Sequence, residues 1–141
     1  MAKTFLYRFF GIGKLPAKLV EEFHAEGLVA IDEGIRGTLT FIDFRGGGRY
    51  SNWRRLWFGA AIVLTQKRFV AYMRRQPAID VALDDPRLNK IEFCIEDPET
   101  FVAAFDAGLF QRNWSGRLEY RFTTPKSMQV LASLQKIPSG I

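Results

Sequence analysis

Between Arg45 and Trp57 the chain reads RGGGRYSNWRRLW, which sets four arginines (Arg45, Arg49, Arg54, Arg55) among Tyr50, Trp53 and Trp57. Guanidinium forks match phosphate and carboxylate geometry, and aromatic rings either settle at a membrane interface or stack on bases. Chemistry of this kind recognises an anion and breaks no bonds. Gly46, Gly47 and Gly48 give the segment mobility and let another molecule approach its backbone closely. They do not form a nucleotide-binding loop, because no Gly-Lys-Ser/Thr follows and the next residues do not begin a helix. The competing role for the same residues is a solvated loop whose tryptophans fold back over the domain.

The charge distribution favours a located site. The 141-residue chain carries a formal charge of +5. From Arg45 to Arg75 there are eight basic residues (Arg45, Arg49, Arg54, Arg55, Lys67, Arg68, Arg74, Arg75) and no acid. The remaining twelve bases and fifteen acids sum to −3. Arg74 and Arg75 fall at a predicted strand end, where they join the loop in one expected site of Arg45, Arg49, Trp53, Arg54, Arg55, Arg74 and Arg75. Eight acids between Asp80 and Asp106 could answer those charges within the protein, so the patch stands or falls on where the arginines lie in space.

Other chemistries find little support. One cysteine, Cys94, allows neither an intramolecular disulfide nor a thiolate cluster, and the single His24 excludes multi-histidine sites. No catalytic triad or nucleophile motif is present, and the carboxylates of residues 80–106 are divided between turns and a strand face. The sequence therefore predicts no enzyme, no metal and no cofactor. The opening MAKTFLYRFFGIGKLP is interrupted by Arg8 and lacks a secretory pattern. Phe5, Leu6, Phe9 and Phe10 recur at helical spacing, either to pack on the domain or to contact a membrane or partner. The expected compartment is the cytoplasm, at the inner membrane face if lipid is the ligand.

The elements that must position the arginines are mostly strands. A short helix is expected over Pro16–Glu26, with Leu19, Val20 and Phe23 as its apolar stripe and Gly27 ending it. Period-2 patterning then predicts strands at Leu28–Glu33 and Thr38–Phe44, joined by a tight turn at Gly34–Gly37. Further strands are expected at Gly59–Thr65, Arg68–Arg75, Lys90–Glu96, Thr100–Asp106 and Arg117–Thr123. Pro77, Asp84-Asp85-Pro86 and Asn89 break the pattern between the fourth and fifth. A last helix follows Thr124 and Pro125, with Met128, Val130, Leu131, Leu134 and Ile137 on its apolar side. The fold class is therefore mainly β (α+β by content). It is a seven-stranded antiparallel meander or closed barrel capped by a C-terminal helix, with residues 1–26 as a helical segment and 27–141 as the barrel. Phe41, Phe93, Phe105 and Phe122 are expected to fill the interior.

That order of elements resembles a pleckstrin-homology-like barrel. The local likeness is to the bacterial PH-like and GRAM-type branch, carried by GAAIVLTQKRFVAY at residues 59–72 and by FVAAFDAGLF followed by WSGRLEYRF and a helix. It covers about residues 27–137. The resemblance implies a non-catalytic binding module for lipid head groups, peptides or protein partners. The expected partner is thus an anionic lipid surface or a protein. A nucleic-acid-binding module using the Arg/Trp-rich loop 45–57 is the alternative, and nucleic acid the weaker expectation. Phosphoinositide-binding members carry basic residues on a roomy first hairpin. The hairpin expected here, Glu33-Gly34-Ile35-Arg36, is tight and charge-neutral, so an inositide pocket of the usual kind is not expected.

Overall fold

In the computed structural model, which describes residues 15–135, seven strands form one antiparallel sheet between two short helices. The elements are α1 (Ala17–Ala25), β1 (Leu28–Gly46), β2 (Arg49–Thr65), β3 (Arg68–Met73), β4 (Gln76–Ala82), β5 (Glu92–Asp97), β6 (Thr100–Asp106), β7 (Ser115–Thr123) and α2 (Ser127–Gln135). The sheet order is β4-β3-β2-β1-β7-β6-β5, so the first strand lies between the second and the last. Hydrogen bonding leaves the sheet open, yet it curls strongly. The Phe69 ring on β3 lies 5.5 Å from Phe93 on β5 and 6.0 Å from Phe101 on β6, although four and three strands respectively intervene in the order. The concave face is filled by side chains, among them Leu39, Phe69, Phe101, Phe105 and Phe122, with Phe41 and Phe93 partly buried at its margin.

The strand count agrees with expectation, but two boundaries do not. Leu28–Glu33 and Thr38–Phe44 belong to one nineteen-residue strand. The turn expected at Gly34–Gly37 is a register irregularity between Glu33 and Ile35, where Gly34 adopts φ +69° and lets the chain bulge without reversing. Residues 45–57 likewise form no loop. The chain reverses at Gly47-Gly48, both with positive φ as a two-residue primed hairpin turn requires, and continues directly as β2. The missed strand is β4. Pro77 lies in it, which β4 tolerates because it is the edge of the sheet.

Helix α1 covers the convex face. Phe23 is fully buried against Ala61, Val63, Val70 and Tyr72, the outward residues of β2 and β3, and Gly27 (φ +84°) ends the helix. His24 is exposed, as expected of a helix-surface residue. Arg68 ties the helix to the sheet: it bonds Glu26 at 2.9 Å and Asp80 at 3.2 Å, and lies over the Phe23 ring. Helix α2 closes the other side with Val130 and Leu134, whereas Met128, expected on its apolar side, is 63% exposed. Thr124 prepares the helix start. Its hydroxyl donates to the Asp32 carboxylate at 2.6 Å and accepts from the Lys126 N–H. The helical spacing of Phe5–Phe10 and the position of Ile137 lie outside the described residues.

On the convex face of β5–β7, Arg117 and Arg121 bridge Glu92, Glu96 and Glu119. Burial would raise the Glu119 carboxyl, but hydrogen bonds and charge from both arginines outweigh it and hold the group below its ordinary value of 4.5. Glu26 is lowered in the same manner, its burial outweighed by Arg68 and Thr65. A carboxyl lowered in the folded state stabilises the fold above its unfolded value and loses that contribution as pH falls through the folded one. Melting temperature should therefore decline as pH falls through and below the ordinary carboxylate value of 4.5, with Glu119→Gln flattening the slope. A variant that melts in parallel with the wild type across that range would remove Glu119 from the account.

Candidate anion-binding site

The arginines of the first hairpin take their places from one unbroken register. Arg45 pairs with Tyr50, Phe41 with Arg54, Thr40 with Arg55, Ile42 with Trp53 and Thr38 with Trp57. Alternation then sorts β2 between two faces. Trp53, Arg55 and Trp57 lie on the convex face in line with Ala61 and Val63, but beyond the cover of α1. Arg54, Leu56 and Phe58 lie on the concave face.

On the convex side the rings stand out from the sheet. Trp53 is 58% and Trp57 69% exposed, so neither folds back as cover. Arg55 stands between them in sequence, its Nε donating to Thr40 Oγ1 at 2.9 Å and its guanidinium 5.1 Å from the Trp53 ring centroid. Nearer the turn, Arg45 lies 4.9 Å from the centroid of Tyr50, itself 56% exposed.

The concave side carries a shallow groove of about 290 Å³ at the hairpin end. Its floor is aromatic: Phe41 meets Phe44 edge-on at 4.9 Å, and Phe44 meets Trp114 at 5.1 Å. Arg49, Ser51 and Arg54 line its side, with the Arg54 guanidinium 5.9 Å from the Phe41 ring. Two backbone devices build the groove. Asp43 adopts φ +48°, which breaks the alternation and brings Phe44 round beside Phe41. Gly46 leaves room for Trp114, since a Cβ there would lie 2.5 Å from the indole. The groove residues Phe44, Ser51 and Trp114 carry no signal in the sequence. Trp114 is distant in the chain and no periodicity marks it.

Electrostatics separates these arginines from the others. Four of the eight acids of residues 80–106 are engaged elsewhere: Asp80 by Arg68, Asp85 by Arg87, Glu92 by Arg117 and Glu96 by Arg121. Among the described residues, no carboxylate lies within ion-pair distance of Arg45, Arg49, Arg54 or Arg55, and Asp43 pairs with none of them. Of the eight bases between Arg45 and Arg75, Arg68 alone is held in ion pairs with described residues. The far edge of β2 is also uncovered, because β3 pairs with it only from Ala60 to Leu64.

Arg74 and Arg75 stand apart from the hairpin end. They form the connection between β3 and β4, and the Arg74 N–H donates to the Gly59 carbonyl. At about 3.3 Å per residue, the ten residues from Gly59 to Arg49 would span roughly 33 Å of straight strand. The seven expected site residues are thus divided: Arg45, Arg49, Trp53, Arg54 and Arg55 on one hairpin, Arg74 and Arg75 beside its base.

Fold and site together define a mainly β domain that presents an unpaired arginine and aromatic surface on its first hairpin. No family model matches the chain, and no curated protein matches it significantly. Among the described residues no group of His, Cys, Asp and Glu could hold a metal ion, and no helix is long and apolar enough to cross a membrane.

Proposed function

We propose that the protein is a non-catalytic binding module of the PH-like kind whose β1–β2 hairpin engages an anionic lipid surface, peripherally at the inner face of a membrane. The observation that carries this reading is the lack, among the described residues, of any carboxylate within ion-pair distance of Arg45, Arg49, Arg54 and Arg55, in a domain whose other strand arginines are largely paired. Such charges cost little to bring against phosphate, since no internal partner has to be given up. The strand order, with β1 between β2 and β7 and a C-terminal helix behind, agrees with the PH-like resemblance. So does the basic character of the first hairpin. With no turn at Gly34–Gly37, the objection drawn from a charge-neutral first hairpin falls away.

Arginines on both faces favour an end-on approach. Arg54 and Arg49 would meet head groups on one side, Arg55 on the other, with Tyr50 and Trp53 at the interfacial level. Four arginines at about 1 kcal/mol each supply roughly 4 kcal/mol, a dissociation constant near 1 mM, so the aromatic rings must supply the rest. Sedimentation with phosphatidylserine vesicles at low salt, and none with neutral vesicles, is the expected outcome. Equal sedimentation with both would remove the reading.

One observation favours a second reading, single-stranded nucleic acid. Trp53, Arg55 and Trp57 share one uncovered sheet face, and four strand residues place the two indoles about 13 Å apart, a span over which bases could stack. Salt dependence does not separate the two, since both are electrostatic. Tryptophan emission does: a blue shift with anionic vesicles and no change with oligonucleotides is expected, and the reverse would favour nucleic acid.

A further inference from the structure

A cleft of about 460 Å³ lies away from the hairpin end, between the start of α1 and the β3–β4 connection. Its volume falls in the range of small-ligand sites. Leu15, Pro16, Ala17 and Leu19 form one wall, and Tyr72, Arg74 and Arg75 the other. The apolar wall and the two guanidinium groups require different things of an occupant: an apolar body and an anionic end.

Three features bear on the polar side. Tyr72 is 6% exposed and lines the cleft, and its hydroxyl has no hydrogen-bond partner among the described residues. Burial, the largest influence, pushes its phenol above its ordinary value, so it remains a neutral O–H donor. Among the described residues neither Arg74 nor Arg75 lies in an ion pair, and Asp80, the acid on the neighbouring strand, bonds Arg68. Among the described residues, helix α1 has no side-chain cap at Pro16 and no acid in its first turn, while just ahead of it the Leu15 N–H donates to the Glu33 carboxylate at 2.8 Å.

The backbone of Arg74 adds an independent observation. Met73 pairs with Gln76, leaving Arg74-Arg75 as a two-residue connection whose first member has φ +61°. Glycine is the residue favoured at that position, and a side chain there costs stability. An arginine kept in a conformation that suits glycine, at the mouth of an apolar cleft, points to a use for its guanidinium.

We propose that this cleft binds a small amphipathic anion, an acyl chain lying along Leu15, Pro16 and Leu19 with its carboxylate held by Arg74, Arg75 and the Tyr72 hydroxyl. The cleft is separate from the hairpin surface, so this proposal and the lipid-surface reading fail independently. The chain's own preceding segment is the poorer occupant on charge, since residues 1–14 carry Lys3, Arg8 and Lys14 and no acid.

Decanoate below its micellar concentration is the probe, with decanol and inorganic phosphate as body-only and head-only controls. Titration by calorimetry should show decanoate binding at least tenfold tighter than either control. Amide shifts should cluster at Ala17, Leu19, Tyr72 and Arg74. Arg74→Gly should lose about tenfold in affinity while melting no lower than the wild type, because glycine suits the turn. Tyr72→Phe should lose about threefold to tenfold. Decanol binding as tightly as decanoate, phosphate binding as tightly as either, unchanged affinity in Arg74→Gly, or shifts centred on Trp114 and Phe44 would each overturn the proposal. An Arg49→Gln/Arg54→Gln variant should bind decanoate as the wild type does.

Discussion

Replacing Arg49, Arg54 and Arg55 together by glutamine is expected to weaken binding to phosphatidylserine vesicles about 100-fold, with the fold intact. The estimate follows from about 1 kcal/mol per arginine at an anionic surface, three removed, and 1.4 kcal/mol for each tenfold. None of the three is in an ion pair, and Arg49 and Arg54 are exposed, so their loss strands no buried charge. Arg55 gives up its bond to Thr40 Oγ1, a cost of about 1 kcal/mol in stability that a thermal melt would register. The control removes charge elsewhere, two arginines against three. Arg117→Gln with Arg121→Gln removes two arginines already occupied by Glu92, Glu96 and Glu119, and vesicle binding should not fall. If this control fell as far as the triple variant, net charge would be responsible and the hairpin would have no special place. Raising salt should erase most wild-type binding, since exposed charges are screened beyond about 8 Å at physiological ionic strength.

How much of this was legible depends on which strand faces are buried. β7 was readable because Leu118, Tyr120 and Phe122 are buried while Arg117, Glu119 and Arg121 alternate outward in ion pairs. The second half of β2, GAAIVLT, was readable as a strand covered on both sides, and α1 is what covers it. The first half was not. Residues 49–57 have one face in solvent and the other over a shallow groove, so burial imposes no alternation and the segment looks like a loop. The turn signal was present in Gly47-Gly48, but without flanking alternation it read as mobility. Gly34 misled in the opposite direction, since a glycine that allows a bulge and one that allows a reversal look alike in sequence. Strand β4 was obscured by Pro77, which only an edge position accommodates. One strand divided in two and one missed left the count at seven.

The site was legible as a list of residues but not as a geometry. Composition located the arginines and aromatic rings. Only the register shows that Arg54 and Arg55 point to opposite faces, and only the sheet order brings Trp114 from the start of β7 to the hairpin. Whether the acids of residues 80–106 neutralised the patch was a question of pairing. Arg68, Arg87, Arg117 and Arg121 answer it in part by taking Asp80, Asp85, Glu92 and Glu96 themselves.

The largest effect on stability is expected at Gly116, which joins the fold to the hairpin surface. It adopts φ +99°, and a Cβ there would lie 2.4 Å from the Asp43 carbonyl oxygen and 2.8 Å from that of Ile42. These are backbone atoms at the irregularity where β1 leaves its pairing with β7 between Ile42 and Arg45, so they cannot turn aside as a side chain would. Gly116→Ala therefore combines a conformational cost of about 1–2 kcal/mol with a displacement of β1, a total of about 3 kcal/mol. For a domain of this size that corresponds to a fall in melting temperature of roughly 10 °C. Gly47→Ala supplies the comparison, since Gly47 also has positive φ (+58°) but nothing within 4 Å of an added Cβ. It should cost about 1 kcal/mol, the conformational part alone. The displacement in Gly116→Ala passes through Asp43 to Phe44 and Trp114, so the groove should open and tryptophan emission shift red even below the melting transition. If the two alanine variants melted together, the close approach of Gly116 to β1 would carry no weight in the fold, and the link between the β1 irregularity and the aromatic groove would fail with it.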